Sequence, residues 1–408
     1  MKRLIFLLFL LPLFSFAQDT IVTGAEHLLS DTSLPVWETL KKGKIGIVGN
    51  QTSVVGENNT HLVDTLRAKG VRITTIFCPE HGFRGQAEAG ARVQDGKDAR
   101  TGIPIISLYG KNKKPSLEQL KGIDLVLFDL QDVGCRFYTY ISTLTYVMEA
   151  CAEANVPLVI LDRPNPNAHY VDGPVLKAQY KSFVGMHPVP IVYGMTIGEY
   201  GKMVLGERWL WMTTEKDTWK QLDSATYAQR IRKFSLTVVE LQHYTHATPY
   251  ALPVAPSPNL QNDHAIKLYP SLCLFEGTNV SVGRGTKWPF ELLGTPNYHG
   301  SKPFTFTPVA IPGVSENPPF KEQLCRGLDL RSAKPLPQID LSYLITMYRY
   351  TNPRSDFFLK NDFFSKLAGS ATLRKQIEKF VPEDAIRNSW QRELKQFSLI
   401  RSRYLIYK

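Results

Sequence analysis

The chain has 408 residues, 43% of them hydrophobic and 21% charged, with a formal net charge of +11. That length accommodates two domains around a large core. The basic excess fits an anionic partner, but no dense Lys/Arg run with interleaved aromatics is present, which argues against nucleic acid; five cysteines without a CxxC pair argue against a disulfide framework or a zinc site.

In chain order, residues 1–17 read as a secretory leader. Lys2 and Arg3 give the charged start, 4–14 are apolar apart from Pro12, and Ser15, Phe16 and Ala17 form a small-x-small cleavage site before Gln18. The apolar run is too short for a permanent transmembrane anchor. The sequence therefore predicts an exported protein, periplasmic or secreted, with no membrane anchor.

Residues 18–247 alternate strand and helix patterns. Apolar runs at 44–50, 71–77, 103–108, 125–130 and 157–161 read as strands. Helical spacing of apolar residues recurs at 61–69 and 143–153. Strands separated by helices of this length imply βαβ units and a mostly parallel, Rossmann-like sheet. No GxGxxG turn follows the first strand and no GxxxxGK[ST] loop occurs, so nothing points to a nucleotide. From 248 to 408 the texture changes. Proline is dense (Pro249, Pro253, Pro256, Pro258), a glycine-rich stretch spans 277–285, and helical patterning returns around 363–380. This half reads as a smaller α+β domain.

Polar residues gather where the predicted strands end: Asn50, then Glu80, His81 and Arg84, then Asp132 and Arg136, then Asp162 and Arg163. Open α/β sheets bind ligands outside the carboxyl ends of their strands, so these clusters outline one polar cleft. Glycoside hydrolysis usually needs two carboxyl groups, one protonated and one ionised. Asp129 follows an apolar run and reads as structural, leaving Asp132, further out, the better catalytic or binding candidate. Two bland pairings compete: Glu80 with Arg84 across a turn, and Asp162 with Arg163 closing a proline-rich turn. In the second half, Arg284 stands between Gly283 and Gly285 near Glu276. Flanking glycines let backbone approach a ligand closely, and a guanidinium can take a carboxylate bidentately. HExxH, GxSxG and SxxK motifs are absent, and His61, His169, His187, His243 and His246 lack metal-ligand spacing. The sequence predicts no metal and no cofactor.

Six stretches carry a resemblance to a known family: PEHGFRG (79–85), FDLQDVGCRFYTY (128–140), LDRPNP (161–166), YGMTIGE (193–199), PSPN (256–259) and EGTNVSVGRGT (276–286). Together they resemble the exo-β-N-acetylmuramidase (NamZ) family of bacterial glycoside hydrolases, formerly a domain of unknown function, over nearly the whole chain after the leader. The resemblance implies a Rossmann-like domain, a smaller C-terminal domain and an active site in the cleft between them. It implies release of N-acetylmuramic acid from the non-reducing end of peptidoglycan-derived muramyl saccharides, with Glu80 as the catalytic glutamate. His81 and Asp132 are then expected to support catalysis. Asn50, Arg84, Arg136, Arg163, Glu276 and Arg284 are expected to bind substrate, with Arg284 favoured for the lactyl carboxylate. The second catalytic group stays open among Asp132, Glu276 and the substrate's own acetamido oxygen. The competing reading is a non-catalytic cell-wall glycan-binding protein that stacks sugars on Phe137, Tyr138 and Tyr140.

Overall fold

The central strands are apolar on both faces, which suits a parallel sheet covered on each side. The computed structural model describes residues 20–80, 82–84 and 95–408. The leader and His81 lie outside those residues. Seven strands form the main sheet: β1 (Lys44–Gly49), β2 (Arg72–Cys78), β3 (Gly96–Lys97), β4 (Pro104–Ser107), β5 (Leu125–Asp129), β6 (Leu158–Leu161) and β7 (Leu236–Val239). Their order is β7-β6-β5-β1-β2-β4-β3. All pair in parallel except β3, which runs antiparallel to β4 at one edge. After β1 the chain adds strands on one side, then returns to place β5 on the other. That reversal opens a crevice beyond the ends of β1 and β5, where α/β proteins bind ligands.

Five of these strands were anticipated. The sequence reading had no strand at β7 or β3, because β7 is a four-residue, half-exposed edge strand and β3 has only two residues.

Side-chain alternation assigns the two faces. Ile45, Ile47, Leu125, Leu127, Val159 and Leu161 pack on one side with helices α1 (Gly24–Ser30), α2 (Val36–Lys42) and α3 (Leu62–Ala68). Val48, Phe77, Val126, Phe128 and Ile160 point to the other, against helix α4 (Tyr140–Ala154). Helix α4 is buried along most of its length and ends on Asn155, whose left-handed φ of 56° suits a C-terminal cap. Helix α5 (Ile197–Gly206) starts on a capping box of Thr196 and Glu199.

The smaller domain holds helix α6 (Asp263–Leu272) and an antiparallel sheet of β8 (Leu292–Thr295), β9 (Phe304–Phe306) and β10 (Cys325–Asp329), with β10 in the middle. Short helices Phe363–Ala368 and Thr372–Glu378 occupy the predicted helical stretch. Phe275, Phe290, Leu344 and Phe364 of this domain belong to the same apolar core as Phe128 and Leu144. A shared core leaves the two domains little freedom to hinge, so the cleft between them is set by packing. All five cysteines are buried and unpaired.

Candidate active site

The cleft contains a cavity of about 840 Å³, walled on one side by the carboxyl ends of the main sheet and on the other by loops of the smaller domain. Glu80, Tyr109 and the run Phe137 to Tyr140 come from the first side. Glu276, Arg284, Phe290 and Phe320 come from the second.

Glu80 reaches the wall because β2 stops at Cys78 and Pro79 has no N–H to continue a ladder. Tyr109 follows the end of the neighbouring strand β4, and its phenol hydrogen-bonds the Glu80 carboxylate. Burial first, and the Glu80 charge second, push the Tyr109 hydroxyl far above its ordinary value, so it stays a protonated donor.

Asn50 stands at the end of β1 but does not line the cavity. Its Nδ2 donates to the Tyr140 hydroxyl at 2.7 Å, while its Oδ1 accepts from the Thr52 N–H at 2.9 Å and the Thr52 hydroxyl at 2.6 Å. The Tyr138 hydroxyl donates to the Pro256 carbonyl at 2.7 Å, and the two tyrosine hydroxyls also share a hydrogen bond. A carbonyl only accepts, so Tyr138 spends its proton there and Tyr140 must donate to Tyr138. The result is a directed chain from Asn50 through Tyr140 and Tyr138 to Pro256. The chain ties the end of β1 to the loop that enters the smaller domain. His61 secures the same corner. Its Nδ1 accepts the Val63 N–H at the start of α3, so its Nε2 carries the proton donated to the Asn50 carbonyl at 2.9 Å.

Asp132 is buried rather than displayed. Its Oδ2 accepts the Gly134 N–H at 2.7 Å and the Tyr193 hydroxyl, while its Oδ1 has no hydrogen-bond partner. Desolvation pushes its carboxyl up to about 7 against those hydrogen bonds. It is not part of the cavity wall, although its charge reaches Tyr138 and Tyr140, which are.

Three of the arginines expected to bind substrate face elsewhere. Arg84 donates to both oxygens of Asp98 at 3.1 and 2.9 Å, lies 3.5 Å from Asp64 and covers the Phe83 ring. It therefore does not pair with Glu80 in the way the turn reading supposed. Arg163 is enclosed with Asp129, donating at 2.6 and 3.0 Å, and also donates to the Val54 carbonyl at 3.1 Å. Asp162 instead accepts from Thr196, Gly198 and Tyr407, so the expected Asp162–Arg163 side-chain pair does not form. Arg136 is 0% exposed and donates to the carbonyls of Pro174, Val189 and Leu367, riveting the smaller domain to the larger one. Burial without a carboxylate partner pulls its guanidinium down to about 9. In each case a partner remote in sequence took the charge, which strand-end position alone did not reveal.

Glu276 and Arg284 do meet, and on the cavity wall. Arg284 Nε and Nη2 both donate to Glu276 Oε1, at 2.9 and 2.5 Å. Tyr109 is the site residue that sequence reasoning missed. Its signal was its position two residues past a strand end, the same that marked Glu80. Among the described residues no cluster of three or more His, Cys, Asp or Glu side chains is arranged to hold a metal, and no helix is long and apolar enough to cross a membrane.

A Rossmann-ordered sheet, a glutamate at the crevice and a second domain closing over it define a two-domain α/β protein with an acid-bearing inter-domain cleft. The chain belongs to the exo-β-N-acetylmuramidase NamZ family of glycoside hydrolases: residues 45–264 match the family's N-terminal domain and 267–407 its C-terminal domain. It is 39% identical over 400 residues to the peptidoglycan β-N-acetylmuramidase NamZ of Bacillus subtilis strain 168, covering 92% of this chain and 90% of that protein. Two crystal structures of DUF1343 family proteins from Bacteroides fragilis share the fold. One has a TM-score of 0.80 at 42% identity, covering 96% of this chain and 99% of its own. The other has a TM-score of 0.75 at 26% identity, covering 95% and 99%.

Proposed function

We propose that this enzyme hydrolyses the β-glycosidic bond of N-acetylmuramic acid at the non-reducing end of peptidoglycan fragments, with Glu80 as the general acid. The observation that carries the assignment is the placement of Glu80. It stands on the cavity wall in a chain of the NamZ family and is tethered by the Tyr109 phenol. In this reading Glu80 gives its proton to the glycosidic oxygen as the bond to C1 breaks. The hydroxyl of a water ends on C1, and the water's remaining proton restores the acid. The aromatic rings of Phe137, Tyr138 and Phe290 offer apolar faces to the sugar. His81, next to Glu80 in the chain, is assigned a supporting role on sequence alone. Asp132 acts at one remove, through the buried structure beneath Tyr138 and Tyr140. The leader pattern at 1–17 supports export, with the reaction taking place in the periplasm or beyond.

The test is release of para-nitrophenol from the β-N-acetylmuramic acid and β-N-acetylglucosamine glycosides by the wild type and Glu80→Gln. Turnover of the muramic glycoside that disappears in the variant, while binding persists, supports the assignment. Full activity in Glu80→Gln removes Glu80 from the chemistry. Binding without turnover in the wild type, on the glycosides and on longer peptidoglycan fragments alike, restores the glycan-binding reading.

A further inference from the structure

We infer that Arg284 is the residue that selects muramic acid, and that Glu276 competes with the substrate's carboxylate for it. This rests on the proposed substrate class and adds the device that would recognise it. Muramic acid differs from glucosamine by a lactyl ether, which carries one carboxylate. Arg284 is the single cationic side chain among the described residues lining the cavity, while Glu80 and Glu276 are both acidic. Among the described residues, an anionic substituent therefore has one cationic partner to meet.

The geometry of the Arg284–Glu276 contact supports an exchange. Two guanidinium donors converge on one carboxylate oxygen, Oε1, rather than on two. A carboxylate that meets the guanidinium fork with both oxygens makes two parallel charge-assisted bonds, the stronger arrangement. Glu276 turns only Oε1 to the fork, while its Oε2 accepts from the Cys273 thiol at 3.6 Å within the same 3₁₀ turn, Cys273–Gly277. An incoming lactyl group has no such tether. Arg284 itself is fixed by its backbone. Gly283 and Gly285 have φ of 81° and 80°, and a Cβ on either would fall 2.6 Å from backbone oxygen, of Trp288 and Val309 respectively. The Phe290 ring lies 5.3 Å from the guanidinium carbon, and the apolar side chains of Val280, Val282 and Pro319 line the same cavity, a low-dielectric wall that strengthens ion pairs formed against it.

Kinetics of the two glycosides and calorimetric binding of three ligands test this. The ligands are N-acetylmuramic acid, N-acetylmuramyl-L-alanine (whose lactyl carboxyl is an amide and whose free carboxylate lies one residue further out) and N-acetylglucosamine. Arg284→Gln should lower the muramic-over-glucosamine preference roughly ten- to a hundredfold, the span of one charged hydrogen bond. Glu276→Gln should tighten N-acetylmuramic acid by about tenfold, the low end of that span, and leave N-acetylglucosamine unchanged. Glu276→Asp, which withdraws the carboxylate by one methylene, should act in the same direction and guards against a folding defect in the first variant. Weaker or unchanged muramic binding in both Glu276 variants overturns the exchange and makes Glu276 a support for Arg284. Equal gains for both sugars overturn it too. A gain shared by the muramyl-alanine ligand overturns the lactyl assignment. Binding in a Glu80→Gln background separates the two readings: tighter muramic binding on adding Glu276→Gln upholds the exchange even where the turnover reading fails.

Discussion

Removing the charge of Asp129 tests where Arg163 belongs. The two side chains are almost completely enclosed, with 1% of Arg163 and none of Asp129 exposed, and they form two hydrogen bonds at 2.6 and 3.0 Å. Asp129→Asn keeps the shape but leaves a guanidinium buried with only a neutral amide and the Val54 carbonyl for company. Breaking one side of a buried pair costs about 3–5 kcal/mol, a large share of the about 5–15 kcal/mol by which folded proteins are stable. Urea unfolding followed by tryptophan fluorescence should show the midpoint falling accordingly. The surviving folded enzyme should keep the KM of the wild type, because neither residue lines the cavity. Replacing both partners, as Asp129→Leu with Arg163→Met, should recover much of the loss, since no charge is then stranded. An Asp129→Asn protein within about 0.5 kcal/mol of wild type, the range of an ordinary surface change, together with a raised KM, would refute the argument and return Arg163 to the substrate.

Two further outcomes follow from the site. Tyr109→Phe removes the donor that stabilises the charge Glu80 gains as it gives up its proton, and kcat should fall by about ten- to a hundredfold, the value of one hydrogen bond to a charged group; the unfolding midpoint, measured alongside, should stay near wild type because Tyr109 is only half buried. Asp132 sets a pH dependence. Its carboxyl titrates near 7 when folded against about 3.9 when unfolded, so the folded state holds an extra proton between those values. Its contribution to stability is complete below about pH 4 and declines as pH rises through about 7. Asp132→Asn should flatten that decline, read from urea midpoints between pH 4 and pH 8; an unchanged slope would show that Asp132 is ionised in the folded protein.

The strands were legible because a buried parallel strand writes itself as a continuous apolar run, as at 125–129 and 158–161. Glu80 was legible because a proline directly after such a run stops the ladder and presents the next side chain at the sheet's carboxyl edge. The glycines around Arg284 announced a tight backbone, and the polar residue between them did prove to line the cavity. The fate of the other charges was not written locally. Arg84, Arg136 and Arg163 sit at strand ends just as Glu80 does, yet each found its partners 14 to 231 residues away. A guanidinium goes where acceptors are already assembled, and those acceptors exist only after the sheet order has brought Asp129 beside Arg163 and the helix bearing Leu367 onto Arg136. The same holds for Tyr109 and Glu80, which share a site because β2 and β4 are neighbours in the sheet. Sequence therefore determined the elements and the chemical vocabulary of the cleft. Tertiary structure decided which charges were consumed in holding the fold together and which were left to face the cavity, because pairing energy depends on distance and burial, and both are set by packing.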